Sequence, residues 1–136
     1  MTTNYHGVLF DTELDNPALI HKYPIFAVAV DRNRPRVAYG VSVPPGQIYR
    51  TIREVQQNLR AEGIDHVNFY NDREVITIFK DRVFLGTPEP SSWQPAQTYG
   101  IERGVPLDGH YFKPYTLEQE VEYFGRDAYR YEQYAS

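Results

Sequence analysis

The sequence predicts a single α+β domain: a mixed, mostly antiparallel sheet of five or six strands with two helices, plus a long proline-rich C-terminal arm. Three observations lead there. The chain has 136 residues, one domain by ordinary size and enough to bury roughly two-thirds of its unfolded surface. Its first 86 residues hold short apolar or alternating segments of strand type around one stripe of helical spacing. Strands in succession with a helix among them give a sheet with helices laid against one face.

Gly7 to Phe10 reads as a weak first strand, followed by an acidic stretch from Asp11 to Asp15 and a helical turn at Pro17 to His21. Ile25 to Val30 is continuously apolar between Pro24 and Asp31, the pattern of a strand buried on both faces, and is the candidate for the sheet centre. Val37, Tyr39, Val41 and Val43 alternate with small residues, the period of a strand with one large-residue face. The polar turn from Asp31 to Arg36 makes these two strands a hairpin.

Pro44-Pro45-Gly46 stops that strand. Ile48, Ile52, Val55 and Leu59 then fall on one helical stripe, and Gly63 supplies a C′ residue, so a helix is expected from about 46 to 62. His66 to Tyr70, Val75 to Phe79 and Val83 to Leu85 read as a meander. Parallel strands flanking the helix would cross right-handedly.

Residues 87–115 have no period and are broken by Pro88, Pro90, Pro95, Pro106 and Pro114. Trp93, Tyr99, Ile101, Val105, Leu107, Tyr111 and Phe112 supply too many apolar anchors for a free linker, so an ordered irregular arm is expected. Thr116 and Gln119 fit a capping box, and Leu117, Val121, Phe124, Ala128 and Tyr131 continue at helical spacing, which predicts a second helix over 116–134.

Much chemistry is excluded by composition. There is no cysteine, hence no disulfide framework, thiol catalysis or thiolate-bound metal. No apolar run approaches the ~20 residues of a membrane helix. The N-terminus lacks the features of a signal or transit peptide, which makes a cytoplasmic location the expectation. Ser42, Ser91, Ser92 and Ser136 sit in no nucleophile elbow, and neither glycine-rich phosphate motif occurs. His6, His21, His66 and His110 have no metal-ligand spacing. No motif calls for a cofactor or a resident metal, and no family resemblance emerges.

Two charged clusters stand out. Asp11, Glu13 and Asp15 alternate, so in an extended segment all three carboxylates would face one way and hold a hard cation for a small metal-dependent enzyme. A solvated acidic turn is the plainer reading. Arg32, Arg34 and Arg36 share one turn and form a candidate anion site, on which a single-stranded nucleic-acid-binding domain would rest. Tyr70, Phe79 and Phe84 would then have to be stacking platforms, but a pI near 5.5 opposes nucleic acid. Those rings read as core. On the helix, Arg50 and Glu54 are spaced for a surface ion pair.

The strongest positive signal is a segregation of charge. Residues 1–86 carry 10 basic and 10 acidic side chains, whereas residues 87–136 carry 4 basic and 8 acidic, so the net charge of −4 resides in the last 50 residues. Half of the aromatic rings lie there too. Trp93, Tyr99, Tyr111, Tyr123, Tyr129 and Tyr134, with Glu118 and Glu122, are the expected partner-binding residues, because rigid rings supply contact area and charge steers encounter. The expectation is a non-enzymatic interaction module: a small regulator or inhibitor, of the kind phages encode against their hosts, that docks on a larger protein with a basic surface. Nucleic-acid-processing machinery is one such partner.

Overall fold

A computed structural model describes residues 4–30, 35–60, 66–104, 116–118 and 120–124. Six strands form one sheet: β1 (Tyr5–Phe10), β2 (Ile25–Val30), β3 (Val37–Val43), β4 (Val67–Tyr70), β5 (Val75–Ile78) and β6 (Val83–Gly86). Their order is β2-β3-β1-β4-β5-β6, and every pairing is antiparallel. Helices α1 (Ile48–Asn58) and α2 (Gln94–Glu102) accompany them. The α+β class and the six strands agree with the sequence. A mixed sheet does not, since among the described residues no parallel pair forms and no right-handed crossover is required.

The largest difference lies in which strand is central. β1, the weak strand of the sequence, sits between β3 and β4, and it starts at Tyr5 rather than Gly7. β2 is an edge, with Val28 44% and Val30 74% exposed. An uninterrupted apolar run reports two apolar faces but not whether both are covered. β1 looks weak because His6 and Gly7 dilute its pattern, and both have packing reasons. A Cβ on Gly7 would come within 2.5 Å of the Phe69 ring, so only glycine lets that ring cross the strand. His6 points to the opposite face and stacks on Phe26, with centroids 4.2 Å apart.

Alternation along the strands gives the sheet two covered faces. On the first, Leu9, Val41, Val43, Val67, Phe69, Ile76 and Ile78 meet the α1 stripe Ile48, Ile52 and Val55, continued by Leu59. This is the stripe read from the sequence, but the helix stops at Asn58. Leu59 turns extended and forms a bridge with Leu14. Asn58 fixes that end: its amide donates to the Asn16 carbonyl at 2.8 Å, and its side-chain oxygen accepts from the Asn16 N–H. Pairing with the 11–16 segment thus ends the helix, and Gly63 lies outside the described residues.

The second face is lined by Val8, Phe10, Phe26, Ala27 and Ala38 on one side and by Phe79 and Phe84 on the other. Phe124 covers the first group, while Ala96 and Tyr99 of α2 cover the second. Helix α2 corrects the expectation that residues 87–115 are irregular. Pro95 falls in its first turn, where a missing N–H costs nothing, and its buried residues are small, Ala96 and Gly100. A stripe of that kind has no hydrophobic period to detect. Residues 105–115 lie outside the described residues, as do 125–134 of the expected second helix. Residues 117, 118 and 120–124 are helical. Among the described residues no helix is long and apolar enough to cross a membrane.

Candidate functional site

The helical residues 117, 118 and 120–124 take an unexpected rotation about their axis. Sequence spacing predicts Leu117, Val121 and Phe124 as the buried stripe. Phe124 is buried, but so is Glu120, at 1% exposure, whereas Leu117 and Val121 are 36% and 54% exposed. The polar second face of the sheet explains the choice. His6 on β1 and Tyr70 on β4 are cross-strand partners, so their side chains stand side by side. Tyr70 donates its hydroxyl to Glu120 Oε1 at 2.7 Å, and His6 Nδ1 lies 2.9 Å from the same oxygen. A carboxylate inside a protein is tolerable only with such partners. Next to them Thr77 donates to Asn68 at 3.0 Å, which satisfies a second buried polar pair.

With Glu120 turned inward, Glu118 and Glu122 flank a groove of about 620 Å³. Its other walls are Asn71 and Asp72 from the β4–β5 turn, Pro88, Pro90 and Trp93 from the segment after β6, and Thr116 and Leu117. Each wall is fixed locally. The Asn71 side-chain oxygen accepts from the N–H groups of Arg73 and Glu74 at 2.9 and 2.8 Å, which holds Asp72 at the turn tip. Trp93 donates its indole N–H to the Thr87 carbonyl at 2.7 Å. Ser92 Oγ accepts from the Thr87 N–H and donates back into the same turn. Among the described residues, three carboxylates, Asp72, Glu118 and Glu122, line the groove, and no Lys, Arg or His does.

Of the partner-binding residues expected from sequence, the structure brings Trp93, Glu118 and Glu122 together. Tyr99 stands apart, packed on Phe79 and Phe84 with its hydroxyl bonded to Asp81, which holds the Asp81 carboxyl below the usual range. Tyr123 is half-buried, edge-on to Phe10 and Phe124. Tyr111, Tyr129 and Tyr134 lie outside the described residues. The sequence did not reveal Glu120, His6 and Tyr70, because their meeting depends on strand pairing and helix rotation. Asp72 was legible only as part of a polar turn.

The other clusters are placed differently. Arg32 and Arg34 lie outside the described residues, and Arg36 sets its guanidinium 3.7 Å above the centre of the Phe10 ring, a cation–π contact that covers the core edge. Asp11 to Glu13 form a 3-10 turn rather than an extended segment. Asp11 accepts the Val37 N–H at 3.0 Å, Glu13 is buried, and Asp15 is exposed. They do not share a face, and among the described residues no three His, Asp or Glu side chains converge on a metal position. Glu54 pairs with Lys22 at 2.5 Å and accepts from Tyr23, in place of the expected ion pair with Arg50. Tyr70 and Phe79 are fully buried core, as expected.

Comparison with known proteins returns no match to this chain among family models, curated proteins or solved structures.

Proposed function

We propose that this protein is an interaction module that docks through the acidic groove beside Trp93 onto a larger protein with a basic surface, and acts there as a regulator or inhibitor. The observation that carries this reading is the grouping of Asp72, Glu118 and Glu122 around Trp93, Pro88 and Pro90, with no cation among the described lining residues. Two prolines and the exposed edge of the otherwise buried Trp93 give a rigid floor, and the carboxylates steer a cationic partner toward it. Enzymes that handle nucleic acid carry basic surfaces for counterion release, which makes them suitable targets.

The test is capture from cell lysate on the immobilised protein at rising salt, with Glu118→Lys plus Glu122→Lys as the comparison. Basic proteins should be retained by the native chain, elute as salt screens the charges, and be lost from the reversed variant. Retention of the same proteins by both would refute docking through this groove.

A further inference from the structure

We infer that the partner segment seated on this groove is an amphipathic helix, with aliphatic residues along one stripe and arginine or lysine along the adjacent one. This partner chemistry rests on the docking reading above. It comes from the rotation of residues 117, 118 and 120–124, which runs against simple hydrophobic partition. Turning that segment by about one residue, ~100°, would bury Leu117 and Val121 and release Glu120 to water. Instead the sheet holds Glu120 through Tyr70 and His6 and leaves the apolar pair exposed.

The outcome is two parallel ridges. Leu117 and Val121 are four residues apart and form an apolar ridge, and Glu118 and Glu122, offset by one residue, form an acidic ridge beside it. Leu117 also reaches the groove, which joins the apolar ridge to Trp93, Pro88 and Pro90. A facing helix complements both ridges when its own residues at four-residue spacing are aliphatic in one row and basic in the next, the usual anchors of a helix laid in a groove. A second copy of this chain fits poorly, because the same face would set Glu118, Glu122 and Asp72 against their equivalents. An extended polybasic segment would satisfy the carboxylates but leave Leu117 and Val121 in water.

Trp93 is the one tryptophan of the chain, so its fluorescence reports the groove directly. The experiment titrates the full-length protein with two peptides, each about 18 residues long and built from Leu, Ala and Arg. One places Leu and Arg in adjacent helical stripes; the other is a scrambled isomer of equal charge. The amphipathic peptide should shift the Trp93 emission and bind at least about tenfold more tightly than its isomer. Leu117→Ser with Val121→Ser should bring the two to within about twofold. Glu118→Lys with Glu122→Lys should abolish binding of both. All four positions are surface ones, so circular dichroism should show each variant melting within about 3 °C of the native chain.

Equal affinity of the native protein for the two isomers overturns the helical partner and leaves charge-driven docking standing; that comparison needs no variant. An unchanged preference in the serine variant overturns it as well. Binding of neither peptide, or binding indifferent to the charge reversal, removes the docking reading and this inference together.

Discussion

His66 shows how a single residue ties the pH response to packing. Its ring lies against Phe79, with centroids 5.6 Å apart, and the surrounding protein lowers its pKa from 6.5 to about 3 by desolvation. The unfolded chain therefore takes up a proton below about pH 6.5 that the native protein refuses until about pH 3. Stability conferred by neutral His66 is complete above pH 6.5 and falls as the pH drops through that window, by at most about 1.4 kcal/mol per pH unit. Urea unfolding at several pH values between 7 and 4.5 should show this slope, and His66→Gln should flatten it. Identical slopes for variant and native chain would mean that His66 is open to solvent.

At the scale of elements, the segment 117–124 is held by a polar anchor as much as by Phe124. Tyr70→Phe keeps the ring and removes a donor to a buried carboxylate, a loss of about 1–3 kcal/mol. The effect should be local: amide exchange across 117–124 should quicken about tenfold or more while α1 stays protected. Uniform acceleration would place Tyr70 in the global core instead. The same elements show what a sequence conveys. Helix α1 was readable because Ile48, Ile52 and Val55 all enter one core, and the β2–β3 hairpin because the apolar run of β2, the alternation of β3 and the polar residues between them are local. Helix α2 was hidden by Pro95 and by a buried stripe of Ala96 and Gly100. The inward turn of Glu120 was hidden because a cross-strand pair, His6 and Tyr70, decides it, and pairing is not written in either strand alone.

For the whole molecule, the change of composition near Leu85 is not a structural boundary. Trp93, Ala96 and Tyr99 all pack back onto the body, and Phe79 is fully buried beneath α2. A chain ending at Gly104 would keep those contacts and lose Glu120 and Phe124, uncovering Phe26 and Val8. It should fold with about 3–5 kcal/mol less stability, the scale of one lost buried phenylalanine, and should bind the dye ANS. Ending at Leu85 should abolish cooperative unfolding altogether. A shortened chain to Gly104 with native stability and no dye binding would show that the C-terminal cover contributes nothing. In the candidate groove, the acidic and aromatic content was legible from charge segregation, but the partition between groove, core and exposed ridge was not, since it required the sheet. One feature of that sheet reaches further. The first strand made is the one into which everything else is zipped: β3 joins β1 on one side and β4 on the other. Removing β1 therefore parts the sheet into two ribbons, β2-β3 and β4-β5-β6, which no longer share a hydrogen-bonded edge. A peptide carrying the β1 sequence, added to a chain that lacks it, should pair with both ribbons and restore cooperative unfolding.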